Sequence, residues 1–229
     1  MSSRTAVLFD IDGTLMDFHG TGRKSFVHAL EKVFGWRDDI AYIQFHGNTD
    51  LNVLREIFAR HGAELTAAKQ REFFAALAVE LEQLAAGAAS TRHPGVAELL
   101  TALAADDRVA IGVVTGNIES TARIKLRHVG LHHHFAHGGY SDDHADRAEI
   151  ARHALERLRA TLPKGVDFSA VWIVGDTPFD IAAAHAIGAR CLAVATGRPT
   201  AAELQAAGAD AVLPNLADTD TVLKILGLG

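Results

Sequence analysis

The stretch Ala6-Val7-Leu8-Phe9-Asp10-Ile11-Asp12-Gly13-Thr14-Leu15 runs from a short apolar burst into two carboxylates two residues apart, then a glycine. The burst Ala6 to Ile11 does not alternate polar with apolar residues, which is the pattern of a strand covered on both faces. Three further bursts of the same kind lie at Val109 to Val114, Ala170 to Val174 and Arg190 to Ala195. Between and after them the sequence turns to helical periodicity rich in Ala, Leu, Glu and Arg: Gly95 to Ala105, Glu119 to Val129, Arg147 to Ala160, Phe179 to Ile187 and Thr200 to Ala207. Strand alternating with helix predicts a doubly wound, Rossmann-like α/β domain built on a parallel sheet. In such sheets ligands bind at the carboxyl ends of the strands, which is where Asp10 and Asp12 stand.

One segment interrupts the alternation. From Met16 to about Arg92 no strand-like run occurs, only amphipathic stretches such as Lys24 to Phe34, Leu51 to His61 and Ala67 to Leu84. They predict a smaller all-helical domain over 16–92, inserted directly after the first strand into a core of 1–15 and 93–229. His93-Pro94-Gly95 marks the return to the core.

Three strings carry chemistry. In the first, one of Asp10 and Asp12 suits a nucleophile and the other a proton donor and acceptor, with Gly13 free to turn sharply. Calcium loops share the Asp-x-Asp spacing, but the preceding strand and the lack of further ligands at alternate positions argue against one. The second, Val174-Gly175-Asp176-Thr177-Pro178-Phe179-Asp180, adds two acids after another buried strand. Magnesium takes oxygen ligands and keeps several waters, so Asp10, Asp176 and the Asp12 carbonyl would form half a shell that Asp180 supports or completes. The third is Val113-Val114-Thr115-Gly116-Asn117, whose hydroxyl and following N–H groups suit phosphate oxygens.

Asp-x-Asp-Gly-Thr, Thr-Gly-Asn and Gly-Asp-Thr-x-x-Asp in this order resemble the haloacid dehalogenase superfamily, in the phosphoglycolate phosphatase-like subgroup with a helical cap after the first motif. The resemblance covers nearly the whole chain. It implies Asp10 as nucleophile, Asp12 as general acid/base and Thr115 as phosphate ligand, with Gly13, Thr14, Gly116 and Asn117 around the bound phosphate. It further implies a Mg2+ ion held by Asp10, Asp12, Asp176 and Asp180. Such relatives carry a Lys or Arg near the start of the helix after the third strand. The usual Lys-Pro is missing from 138–147, which makes Arg147 the first candidate for that cation and Lys125 the second. In the cap, His46-Gly47-Asn48-Thr49-Asp50 resembles a Gly-x-Thr-Asp loop of capped relatives. Thr49 and Asp50 are thus candidate substrate contacts, though a helix N-cap is the plainer reading for them. Arg23 is a further candidate, against an exposed surface charge. The expected activity is magnesium-dependent hydrolysis of a small phosphate monoester through an aspartyl phosphate on Asp10. Relatives that dehalogenate lack an acid at the position of Asp12, and phosphonate-cleaving relatives typically do too. A β-phosphoglucomutase-type phosphomutase keeps the same acids and is the alternative. A phosphoacceptor signalling module also gathers acids around magnesium, but carries no cap.

The rest of the composition narrows the partners. The chain has 229 residues with a formal charge of −6, from 22 basic and 28 acidic side chains, and no basic run suited to nucleic acid. No stretch approaches the roughly 18 uninterrupted apolar residues of a membrane span. The start of the chain lacks the pattern of a secretory signal, and the single Cys191 sits in an apolar run that reads as a buried strand, so cytoplasmic residence is expected. A small phosphorylated metabolite is the expected partner, with monomer and homodimer both open. Gly20 to Ser25 superficially resembles a P-loop but lacks Gly directly before Lys and a preceding strand. His132-His133-His134 offers consecutive side chains that cannot converge on one ion.

Overall fold

The computed structural model describes residues 4–229. Six strands form one parallel sheet: β1 (Thr5–Phe9), β4 (Val109–Val114), β5 (Gly138–Gly139), β6 (Ala170–Gly175), β7 (Arg190–Val194) and β8 (Ala211–Leu213), in the spatial order β5-β4-β1-β6-β7-β8. The chain leaves β1 toward β4 and β5, then returns across it to β6, so the strand order reverses at β1. That reversal opens a crevice above β1, flanked by the ends of β4 and β6.

Residues alternate along β1 between two apolar layers, because successive strand side chains point to opposite faces. Val7 and Phe9 pack with α4 (Val96–Ala104), α5 (Glu119–His128) and α9 (Thr219–Leu226). Ala6 and Leu8 pack with α6 (Arg147–Arg159), α7 (Pro178–Ala186) and α8 (Ala201–Ala206). Cys191 is fully buried in the second layer, where burial pushes its thiol up.

The segment after β1 holds α1 (Thr21–Phe34), α2 (Asp50–Arg60) and α3 (Ala67–Ala85), which bury Phe26, Leu30, Leu54, Ile57, Phe58, Phe73 and Leu77 against one another. Ile118 and Ala145 of the core domain join that cluster, so the cap is seated on the core. The sequence reading of no strand between Met16 and Arg92 needs correction. β2 (Met16–Asp17) and β3 (Thr91–Arg92) pair antiparallel at the cap's two entry chains. Two residues are too few to show a period. Among the described residues, no helix is long and apolar enough to cross a membrane.

Candidate active site

Three strand ends bring the chemistry together. Asp10 follows β1 and its N–H donates to the Val174 carbonyl at 2.9 Å, which fixes the backbone at the sheet edge. Thr115 follows β4, and Asp176 follows β6. Asp10, Asp176 and Asp180 each place a carboxylate oxygen within 4.8 Å of the others. Arg147, the first residue of α6, sets one Nη2 at 2.6 Å from both Asp10 Oδ2 and Asp180 Oδ1. Burial alone would lower the guanidinium's pKa, but the Asp10 and Asp180 carboxylates outweigh that and raise it. Burial pushes the Asp10 carboxyl up against the opposing pull of Arg147. Burial also raises Asp176, helped by the nearby Asp180 and Asp10 charges.

The Asp176 carboxylate tests whether a divalent ion fits. Its Oδ1 accepts from Thr14 Oγ1 at 3.0 Å, whereas Oδ2 is buried without a hydrogen-bond partner. An all-carboxylate oxygen set with one unsatisfied buried acceptor suits a hard cation such as magnesium. Asp180 is placed differently. Arg147 occupies its Oδ1, and Oδ2 accepts from the Thr177 N–H and hydroxyl in the capping box of α7. Both Asp180 oxygens are thus hydrogen-bonded, and Asp180 joins Asp10 and Asp176 as an anchored member of the trio. The Asp12 carboxylate, one of the metal ligands expected from sequence, is not part of that trio.

Asp12 is held by a second, separate cation. Lys125 Nζ lies 2.8 and 2.6 Å from its two carboxylate oxygens and 2.7 Å from Asn117 Oδ1. Asn117 Nδ2 donates to Asp12 Oδ2 and to Thr115 Oγ1, both at 2.7 Å. Asp10, Asp12, Thr115, Gly116, Asn117, Lys125 and Arg147 all line one cavity of about 490 Å³, within the size range of small-molecule sites. Its far wall comes from the cap, with Phe26, Phe45, Leu77 and Leu81 apolar and Arg23 and His46 polar.

The start of α2 joins the cap to the core beside this cavity. The Asp50 N–H donates to the Gly116 carbonyl at 2.7 Å, and its Oδ2 accepts from the Ile118 N–H at 2.9 Å. Ile118 is the N-cap of α5 and has no capping side chain of its own, so the cap domain supplies that acceptor. The approach is close enough that a Cβ on Gly116 would lie 2.2 Å from the Asn48 carbonyl oxygen.

A family model described as Haloacid dehalogenase-like hydrolase matches residues 7–194. The chain belongs to that family. Tyrosine-protein kinase PtkA of Mycobacterium tuberculosis is 32% identical over 188 residues, which are 79% of this chain and 59% of PtkA. The chain thus spans about six-tenths of the length of that relative. CbbY from Rhodobacter sphaeroides, solved in complex with phosphate, superposes with a TM-score of 0.70 at 24% identity, covering 93% of this chain and 95% of that one. A hydrolase from Pseudomonas syringae gives a TM-score of 0.67 at 20% identity over 97% of this chain and 99% of its own. Both share the capped α/β fold of this family member.

Of the residues singled out from sequence, Thr14 and Thr49 stand apart from the cavity, and Arg23 and Gly13 line it in other roles. Thr14 is fully buried and serves Asp176. Thr49 is buried too: it caps α2 through the Asn52 N–H and donates to the Ala145 carbonyl, so the N-cap reading describes it. Arg23 lines the cavity, but its two Nη groups donate to the carbonyls of Ile40 and Ile43, and it stacks over Phe45. It shapes the cap wall. Gly13 lines the cavity, and its carbonyl accepts from Thr196 Oγ1 at 2.5 Å. Sequence reasoning missed Thr196 and Gly197, although they follow β7 and the strand-end rule reaches them. It also missed His46, whose Nε2 comes within 3.4 Å of Asp176 Oδ2 from the cap. No local pattern marks His46.

Proposed function

We propose that this family member is a magnesium-dependent phosphatase that hydrolyses a small phosphate monoester through an aspartyl phosphate on Asp10. One observation carries the reading. Among the described residues, two of the buried atoms without a hydrogen-bond partner are of opposite character at this site: Asp176 Oδ2, an acceptor, and Arg147 Nε, a donor. Arg147 lines the cavity and holds Asp10, so its spare donor suits a phosphate oxygen, as the spare acceptor suits a cation.

In this reading Arg147 holds Asp10 Oδ2 and leaves the other carboxylate oxygen for in-line attack on phosphorus. The bond from phosphorus to the ester oxygen breaks as the new P–O bond to Asp10 forms. Asp12 gives its proton to the departing alkoxide, then takes a proton from the water that attacks the aspartyl phosphate. Proton transfer of this kind is worth roughly 10² to 10⁴ in rate. The Thr115 hydroxyl, with the Gly116 N–H beside it, holds equatorial phosphate oxygens. Asp10 and Asp176, with Asp180 in support, would hold a magnesium ion, which would neutralise charge that accumulates in phosphoryl transfer. The seated cap excludes water and limits the substrate to a small metabolite.

The test is magnesium-dependent phosphate release from a panel of phosphoglycolate, sugar phosphates, nucleotide monophosphates and phosphotyrosine, with product analysis for β-glucose 1-phosphate. Phosphate release by wild type and none by Asp10→Asn is expected. Isomerised sugar phosphate without phosphate release would make the protein a mutase, and wild-type-like release by Asp10→Asn would remove Asp10 from its role.

A further inference from the structure

Lys125 was expected from sequence to compete with Arg147 for one task, neutralising the phosphate. Its hydrogen bonds assign it another. An ammonium has three N–H donors and no acceptor, and Lys125 Nζ has three acceptors within 2.8 Å: Asp12 Oδ1, Asp12 Oδ2 and Asn117 Oδ1. None remains for a phosphate oxygen. The side chain is buried, at 7% exposure, although it belongs to a cavity wall.

Asn117 is equally committed. Lys125 can only donate, so the Asn117 oxygen must face it, and the amide nitrogen then faces the Asp12 carboxylate. Its two N–H bonds go to Asp12 Oδ2 and Thr115 Oγ1. Thr115 Oγ1 also receives the Asn117 backbone N–H at 3.3 Å. Both contacts to that oxygen are donations toward it, so the Thr115 hydroxyl keeps its own proton to give. Four side chains therefore form one directed chain: Lys125 to Asn117, Asn117 to Thr115, and both Lys125 and Asn117 to Asp12.

We infer that Lys125 and Asn117 are positioning residues, a clamp that fixes the Asp12 carboxylate for proton transfer and turns the Thr115 hydroxyl outward toward phosphate. The inference rests on the phosphatase reading for its kinetic consequences, and on geometry alone for its structural ones. Without the clamp, Asp12, whose side chain is 43% exposed, has no other side-chain hydrogen-bond partner among the described residues to hold its rotamer. Misplacing a reacting group by about 1 Å costs on the order of 10²-fold in rate. The cost should fall on the steps that need Asp12. An alkyl phosphate needs its leaving group protonated. A p-nitrophenyl phosphate does not, because p-nitrophenolate departs unaided, yet hydrolysis of the aspartyl phosphate still needs Asp12 as base.

The experiment uses the full chain with magnesium and compares wild type, Lys125→Met, Asn117→Ala, Asp12→Asn and the double variant of Lys125 and Asp12, each checked for a cooperative thermal transition. For Lys125→Met, kcat on an alkyl phosphate should fall about 10²-fold with KM within about threefold. On p-nitrophenyl phosphate it should show a burst of nitrophenolate followed by a slow steady state. The double variant should be no slower than Asp12→Asn, since groups acting as one unit are not additive. Asn117→Ala should share the burst in milder form. A KM raised tenfold or more with no burst, or additive losses in the double variant, would make Lys125 a phosphate ligand and overturn the clamp. Crystal structures of wild type and Lys125→Met supply a readout free of turnover: the Asp12 carboxylate should leave its position in the variant, and an unmoved Asp12 would overturn the inference. If wild type releases phosphate from no monoester, the phosphatase reading fails by itself, and the crystallographic comparison alone decides the clamp.

Discussion

Replacing Asp176 by Asn should stabilise the metal-free protein and abolish its response to magnesium. Asp176 is fully buried, with one oxygen bonded to Thr14 and the other without a hydrogen-bond partner among the described residues. Burial and the neighbouring acids resist its charge. An amide of the same shape keeps an oxygen for Thr14 and turns its nitrogen toward His46 Nε2, 3.4 Å from the present Oδ2. A buried polar group left unsatisfied costs about 1–3 kcal/mol, more when charged. At about 2–4 °C per kcal/mol for a chain of this size, the Asn variant should melt about 2–12 °C higher in EDTA. Wild type should gain about 2.7 kcal/mol at a magnesium concentration 100 times its dissociation constant, and the variant should gain nothing. Thermal unfolding of both proteins with EDTA and across a magnesium titration measures each quantity. A variant that melts below wild type in EDTA would refute the unsatisfied-carboxylate argument. Equal magnesium stabilisation of both would remove Asp176 from the ion.

Three further outcomes follow from the same geometry. A Cβ on Gly197 would lie 1.7 Å from Asp176 Oδ2, so Gly197→Ala must displace that carboxylate; magnesium affinity by calorimetry should fall about 10- to 100-fold, as for other changes that reorient a ligand. Arg147→Met strands two buried carboxylates that now share one guanidinium, and urea unfolding should show a loss of about 3–5 kcal/mol, with unchanged stability arguing that the pair is not formed. Burial lifts the Asp50 carboxyl to about 7 against the pull of Lys125. The folded state therefore binds protons more tightly than the unfolded one, and this group's stabilisation is complete below the ordinary Asp range and declines as pH climbs toward 7, by up to about 1.4 kcal/mol per unit. Asp50→Asn should flatten that decline in unfolding measured at pH 5, 6 and 7, and an unaltered slope would count against it.

The sheet was legible because its inner strands are covered on both faces, which forces unbroken apolar runs such as Val109 to Val114. The strands that escaped notice lack that constraint. Gly138–Gly139 has no side chains to carry a pattern, the edge strand Ala211–Leu213 has only three residues, and Met16–Asp17 with Thr91–Arg92 are too short for any period. The acids at the strand ends were legible for the same topological reason, since β1, β4 and β6 are adjacent and their ends must converge. What the sequence did not separate was the work of the two cations. Arg147 and Lys125 both stand in helices near the cleft, and only coordinates show that one serves Asp10 and the other Asp12.

Helix geometry explains how Lys125 reaches a strand end from mid-helix. It lies six residues past the start of α5, about 9 Å along the axis, and helical side chains lean back toward the N-terminus. A long lysine stem can thus return its ammonium to Asn117 and Asp12 at the helix entrance. That same entrance receives Asp50 of the cap, which accepts the Ile118 N–H where α5 has no cap of its own. The seating of the cap and the placement of Asp12 therefore depend on one rigid element. A shift of α5 that released Asp50 would carry Lys125 with it, so the orientation of the proposed acid/base is tied to cap closure by the helix between them.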